Sequence, residues 1–309
     1  MTRAAHPPMA GGEFDRDAAT RLDEAALDAA WAETGSRLLR LRDGEIAVRA
    51  ADEHGAKLDL IPATGGRDAD RLYLGRLAGD PVFAAVATEE APLGAEPAAG
   101  WLPPFDFAWK LPEVEAEMLA VAFALTAWHR SSAFSPRDGS ATIPANGGWA
   151  RHDSHGGEHF PRTDPVVIVL VEHEDRLLLG SNVLWESGRF SLLAGFVEAG
   201  ESAEQAVVRE IEEEAGVLVD DVRYVASQPW PFPRSFMLGF RARLVEGADP
   251  EALNPDPAEI SELRWFTREE LRDPAPGIRL PMPVSIARWM IDRWVEEGDR
   301  GRAADGGRG

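Results

Sequence analysis

No cysteine occurs among the 309 residues, so disulfides are excluded and the redox compartment cannot be read from thiols. No apolar run approaches the ~20 residues that a membrane-spanning helix needs. The opening residues, MTRAAHPPMAGGEFDRDAA, lack the apolar core of a secretory signal, so a cytoplasmic protein with no membrane partner is expected. Positive charge is also scarce: 32 Lys and Arg stand against 53 Asp and Glu, a net charge of −21 with pI near 4.7. That balance excludes a broad electrostatic footprint on nucleic acid, although an RNA end could still enter a pocket charged by metal. Internal repeats of solenoid length are absent as well.

What is present is ordinary for a folded protein: 44% hydrophobic and 28% charged residues, in a chain long enough for two cores. Residues 1–15 read as a flexible lead and 16–129 as a mixed N-terminal domain. In that domain LLRLRDGEIAVRA and DRLYLGRLAGDPVFAAVA form strands around Asp-Gly or Gly-Asp turns. PEVEAEMLAVAFALTAWHR follows as a helix opened by Pro112. Residues 130–163 have little periodicity and read as a linker module. Regular pattern returns in 164–297: VVIVLV is a buried strand, further strands fall near 176–179, 190–193, 222–226, 236–244 and 263–266, and a last helix spans 284–296. The polar tail 298–309 reads as disordered.

The densest chemistry lies in GFVEAGESAEQAVVREIEEEAGV, residues 195–217. On a helix, Glu210, Glu213 and Glu214 sit at i, i+3 and i+4, on one face. Their mutual repulsion costs roughly 0.2–0.5 kcal/mol per pair when solvated. The same arrangement suits a divalent cation held by oxygen ligands. Ala203, Ala206, Val207 and Ile211 form the opposite, core-facing stripe. Gly195 ends the apolar run SLLAG where a chain leaving a strand can turn, and Gly216 stands where a left-handed cap would stop the helix. Arg209 can orient Glu201 or Glu213 through forked hydrogen bonds.

The order Gly195, five residues, Glu201, seven residues, then REIEEEAGV fills every fixed position of the Nudix box. The chain therefore resembles the hydrolases that cleave nucleoside diphosphates linked to another group. Residues 227–235, SQPWPFPRS, resemble in addition the signature of NADH pyrophosphatases. Their three prolines indicate a rigid loop. On it Trp230 and Phe232 suit stacking on a base, and Gln228 and the serines suit reading polar edges. The resemblance implies an α/β (α+β) protein, with a C-terminal Nudix α/β/α sandwich beside the smaller mixed domain. It implies Mg²⁺ or Mn²⁺ on Glu210, Glu213 and Glu214, joined by the Ala194 carbonyl and Glu259. Arg209, Glu210, Glu213 and Glu259 become the candidate catalytic residues, and the spacing leaves the general base open.

For the substrate, the resemblance nominates Phe160, Ile168, Phe196, Gln228, Pro229, Trp230, Pro231, Phe232, Pro233, Arg234, Ser235, Met237 and Ala287. Phe160 is expected at the interface of a homodimer. The substrate it implies is NADH or NAD⁺, cut to nicotinamide mononucleotide and AMP, with an NAD-capped RNA 5′ end as a second form. Another dinucleotide or an ADP-sugar is the alternative substrate, and a non-catalytic nucleotide sensor the alternative class.

One departure stands out. The family places a four-cysteine zinc ribbon before the Nudix domain, and here residues 130–163 are a degenerate version with Ser135, Asp138, His152 and His155 at the cysteine positions. Asp138, His152 and His155 could hold a metal. The alternative, a metal-free module packed through Phe134 and Trp149, is the expected one, because a structural zinc site closes with four ligands.

Overall fold

The computed structural model describes residues 5–306, with side chains described through Gly298. The chain divides into two compact units, one running to Thr163 and including Pro229–Ser235, the other comprising Asp164–Gln228 and Phe236 onward.

The first unit contains α1 (Glu24–Ala32), then strands β1 (Arg37–Arg42), β2 (Glu45–Ala51), β3 (Ala56–Leu58), β4 (Leu60–Pro62), β5 (Leu72–Leu77), β6 (Asp80–Val86) and β7 (Trp101–Leu102), and helix α2 (Glu113–Ser131). The sheet order is β3-β2-β1-β6-β5, with β4 on β1 and β7 on β2. Asp43 and Gly44 both adopt positive φ and turn β1 into β2, as an Asp-Gly hairpin requires. Between β5 and β6 the turn falls one residue earlier than the Gly-Asp pair, on Ala78 and Gly79, both at positive φ. Residues 5–15, expected as a flexible lead, are instead packed: Met9 and Phe14 are buried, and the Phe14 N–H donates to Glu117 at 3.0 Å.

A small antiparallel sheet, β8 (Thr142–Ala145), β9 (Ala150–Asp153) and β10 (Glu158–His159), completes this unit. Asp153 holds its turns together. The buried carboxylate accepts from the N–H groups of Gly157 at 2.8 Å and His155 at 3.0 Å, from Ser135 Oγ at 3.3 Å and from His159 Nε2 at 3.1 Å. Phe134, expected to pack the module, is exposed, and it is the Asp153 carboxylate that ties the turns instead. Trp149 is half-buried and donates through Nε1 to the Tyr73 carbonyl at 2.7 Å.

The second unit contains β11 (Asp164–His173), β12 (Arg176–Asn182), β13 (Leu193–Phe196), α3 (Ala203–Ala215), β14 (Val219–Trp230), β15 (Ser235–Leu244), β16 (Ile260–Thr267), α4 (Arg268–Arg272) and α5 (Ile286–Gly306). Its sheet runs β14-β15-β11-β12-β16, with β13 antiparallel to β11. Alternation along β11 separates two cores. Val167, Val169 and Val171 pack with Ala206, Val207 and Ile211 of α3, while Ile168 and Leu170 pack with Ile286, Ala287, Met290 and Trp294 of α5. A helix on each face of one sheet is the expected α/β/α sandwich.

Two elements differ from the sequence reading. The SQPWPFPRS segment, expected as a rigid loop, is a hairpin, since β14 continues through Trp230 and only Pro231–Arg234 turn. Pro229 is tolerated there because β14 is an edge strand, where a missing N–H leaves no partner unpaired. Helix α5 continues past Glu296 to Gly306, through residues expected as a disordered tail. Residues 307–309 of that tail lie outside the described residues.

Candidate active site

Helix α3 is set by a reciprocal capping box, in which Ser202 accepts from the Gln205 N–H and Gln205 accepts from the Ser202 N–H. It ends at Gly216, left-handed at φ 69°, as the sequence requires. Its buried stripe of Ala206, Val207 and Ile211 fixes the rotation of the helix, and that rotation aims the glutamates.

The three carboxylates occupy different environments. Glu213 is solvent-facing, with its side chain 59% exposed, whereas the Glu210 side chain is 12% exposed. Glu210 is brought against the β13 backbone at Gly195, where a Cβ would collide with its carboxylate, so the box glycine makes room for the acid. Glu214 is 7% exposed, and its Oε2 has no hydrogen-bond partner. Burial, then the negative charges of Glu210 and Glu259, push the Glu214 carboxyl up to about 8, against an opposing hydrogen bond from the Ala194 backbone. Burial also raises Glu210, opposed by Arg209. Exposed Glu259 stands just before β16 and within electrostatic reach of both acids.

Arg209 ties this face together. Its Nε and Nη2 fork onto Glu201 at 2.8 Å each, Nη1 reaches Glu210 at 2.8 Å and Glu213 at 3.0 Å, and Nη2 donates to the Phe196 carbonyl at 3.0 Å. The fork holds the Glu201 carboxyl down at about 2.

The donor set fits a divalent cation. A buried carboxylate oxygen without a donor, with the charges of Glu210 and Glu259 close enough to raise the Glu214 carboxyl, is a crowding of acids that a hard cation would relieve. Among the described residues no three acidic or histidine side chains are already gathered as a closed cage. Arg209 takes up oxygens of Glu210 and Glu213.

Of the nominated substrate residues, Ile168, Met237 and Ala287 come together with Ala194 in the core cluster beneath β13. Phe196 follows Gly195 directly and is 59% exposed, and Phe160 in the first unit is 61% exposed. Gln228 is fully buried. Its Nε2 donates to the Val284 carbonyl at 2.9 Å and its Oε1 accepts from the Ile286 N–H at 2.7 Å, so its amide anchors the start of α5 instead of facing a ligand. Trp230 and Phe232 are likewise engaged, in an aromatic cluster of the first unit with Phe105 and Phe123 at centroid distances of 4.7–5.7 Å. Pro231 is buried, Pro229 and Ser235 are half-buried, and Pro233 and Arg234 are exposed at the hairpin tip.

In the small sheet, His155 pairs with Asp138 at 3.0 Å while His152 pairs with Glu158 at 3.2 Å, so the three proposed ligands do not converge.

Comparison with known proteins agrees with this geometry. The description "NUDIX domain" matches residues 161–286, and "NADH pyrophosphatase-like rudimentary NUDIX domain" matches residues 32–128. The second match was not foreseen from the sequence, which showed only a mixed domain there. A protein named NAD-capped RNA hydrolase NudC from Mycobacterium bovis is 39% identical over 298 residues, covering 91% of this chain and 92% of that one. Its namesake in Mycobacterium tuberculosis shows the same identity and coverage. Human NAD-capped RNA hydrolase NUDT12 is 40% identical over 209 residues, 62% of this chain and 44% of its own.

Proposed function

Because this chain belongs to the Nudix hydrolase family, in its branch of NADH pyrophosphatases and NAD-capped RNA hydrolases, we propose that it hydrolyses the pyrophosphate of NADH and NAD⁺ to nicotinamide mononucleotide and AMP. On the same reading it also removes NAD from RNA 5′ ends. The observation that carries the chemistry is the α3 carboxylate face clamped by Arg209, with the orphaned oxygen of Glu214 at its buried edge. The shared length and identity with the mycobacterial hydrolases support the substrate.

Glu210, Glu213, Glu214, Glu259 and the Ala194 carbonyl would hold Mg²⁺ or Mn²⁺, which neutralises pyrophosphate oxygens and acidifies the attacking water. Gly195 keeps the Glu210 carboxylate close to the strand. Arg209 keeps Glu201, Glu210 and Glu213 in one geometry, so little reorganisation accompanies the reaction. Water adds to one phosphorus, the anhydride P–O bond breaks, and the water's proton passes to a carboxylate of this face. Exposed Phe196 supplies a ring for stacking one end of the dinucleotide, and Ile168, Met237 and Ala287 give its wall an apolar backing.

A homodimer remains part of the proposal, with Phe160, 61% exposed, as the residue that a second copy would cover. No helix among the described residues is long and apolar enough to cross a membrane, and we place the protein in the cytoplasm.

The test offers the purified protein NADH, ADP-ribose and NAD-capped RNA with Mg²⁺ or Mn²⁺, beside Glu213→Gln. Release of nicotinamide mononucleotide from NADH and from capped RNA, abolished in the variant, is expected. Cleavage of ADP-ribose but not NADH would overturn the substrate assignment, and tight binding without cleavage would point to a sensor.

A further inference from the structure

Three arginines are buried among the described residues: Arg40, Arg151 and Arg268. Two of them hold carboxylates, Arg40 with Asp59 at 2.6 Å and Arg268 with Asp175 at 2.5 Å. Arg151, on β9 of the first unit and 8% exposed, has none. Its Nε donates to Thr142 Oγ1, its Nη2 to the Thr142 carbonyl and its Nη1 to His129 Nδ1, each at 2.7 Å. All three partners are neutral. His129 Nε2 donates to the Gly148 carbonyl at 2.8 Å, which leaves Nδ1 as the lone-pair acceptor and the ring without charge. A guanidinium has five N–H groups, so Nη1 and Nη2 each keep one uncommitted. Buried charge ordinarily pairs directly with a counter-charge, and among the described residues no carboxylate is hydrogen-bonded to Arg151, Asp70 acting on it only through space.

The same residue lines a cavity of about 380 Å³, which lies wholly within the first unit. Arg42, Arg130, Thr126 and His129 also line it, with Leu72 and Phe123 as apolar wall and Asp43 and Asp70 contributing negative charge. Arg130 is exposed, and Arg42 stands 3.6 Å from Glu96. Three arginines around one hollow are unexpected in a chain of net charge −21. The volume is that of a small-molecule site. Guanidinium N–H pairs match the oxygens of a phosphate, and the apolar wall suits the organic part of a phosphate ester.

We propose that this cavity is a second ligand site, which binds a nucleotide-sized phosphate monoester through Arg151 and Arg130. It is separate from the α3 carboxylate face and needs no metal. Burial holds the Arg151 pKa below its usual value, with Asp70 the one opposing charge, so an arriving dianion restores the preferred state of the guanidinium.

The test uses the full chain in EDTA, where the carboxylate face repels anions. AMP is titrated and followed by phosphorus NMR line broadening, with inorganic phosphate as competitor and adenosine as the phosphate-free control. Saturable binding of one AMP per chain, displaced by phosphate and not shared by adenosine, is expected. Arg151→Gln and the exposed Arg130→Ala should each weaken it at least ~10-fold, the usual consequence of deleting one charge-assisted hydrogen bond to a phosphate. Arg130→Ala should leave NADH hydrolysis unchanged, and Phe196→Ala should leave AMP binding in EDTA unchanged. If Arg151→Gln fails to fold, Arg130→Ala decides alone. No saturable binding, equal binding by adenosine, affinity untouched by Arg130→Ala, or binding abolished by Phe196→Ala would each overturn the proposal. None of those results bears on the hydrolase reading.

Discussion

Glu214 and Asp153 are both buried carboxylates, 7% exposed each, one on the acidic face of α3 and the other at the centre of the small sheet, and they have opposite electrostatics. Asp153 accepts from two backbone N–H groups, a serine and a histidine, and backbone hydrogen bonding from Gly157 leads the effects that hold its carboxyl down at about 2. Glu214 has an oxygen with no donor and two acids nearby, and its carboxyl is pushed up to about 8. The lesson is that burial alone does not make a carboxylate a metal ligand. What decides is whether the fold itself satisfies the charge. At the small sheet it does, and the turns close on an anion. On α3 it does not, and on the proposed function a cation makes up the deficit.

The largest expected effect breaks the α3 side of the contrast. Glu214→Gln keeps the shape and removes the charge, so NADH hydrolysis should fall at least ~100-fold while the fold persists, as for loss of a metal ligand. In EDTA at neutral pH the same variant should melt higher than the wild type, because folding no longer forces a carboxyl to take up a proton or to bury an uncompensated charge. Unchanged hydrolysis would remove Glu214 from the metal site.

Gly195→Ala comes next. The added Cβ meets the Glu210 carboxylate, so either that acid or strand β13 must shift. A loss of ~10–100-fold in kcat is expected, from displacement of a ligand rather than its removal. Melting should change far less than rate, and full activity would show that Glu210 needs no such approach.

Asp153→Asn tests the other side. The amide cannot serve its four donors as the carboxylate does, so Tm should fall by several degrees and hydrogen exchange across residues 133–159 should rise. EDTA, by contrast, should leave exchange in those residues unchanged while it abolishes hydrolysis. Slower exchange there on adding zinc would mean that the module still closes on metal.

Much of the α3 acidic face was legible because helical spacing is a local property. The i, i+3, i+4 acids and the apolar stripe opposite them follow from 3.6 residues per turn, and the Gly216 cap from glycine's tolerance of a left-handed backbone. The difference between Glu213 and Glu214 was not legible, because it depends on what packs over the helix from distant sequence. Gln228 was misjudged for the same reason: its amide is consumed by Val284 and Ile286, some 56–58 residues away. The Nudix-like character of residues 32–128 left no sign, since helix α2 buries Ala116, Met118, Leu119 and Ala122 without carrying the acidic face of α3. Arg151 was invisible for want of periodicity around it, and only the cavity and the missing carboxylate single it out.

The smallest effect, and the sharpest for the comparison, is the pH dependence of the metal-free protein. Glu214 titrates near its ordinary 4.5 when unfolded and about 8 when folded, so between those values the folded state holds the extra proton. Stability then falls as pH rises through that window, and Glu214→Gln should flatten the descent. Asp153 runs the other way, from 3.8 unfolded to about 2 folded. Its contribution is complete above 3.8 and is lost as pH drops toward 2, a loss that Asp153→Asn should remove. Tm measured in EDTA from about pH 3 to 8, as wild type minus variant, separates the two limbs. Mg²⁺ should flatten only the upper one, because of the two carboxylates only Glu214 has an oxygen that the fold leaves without a donor. A Glu214→Gln difference that is flat from about pH 5 to 8 would show that the fold already satisfies this acid, and the contrast between the two centres would collapse.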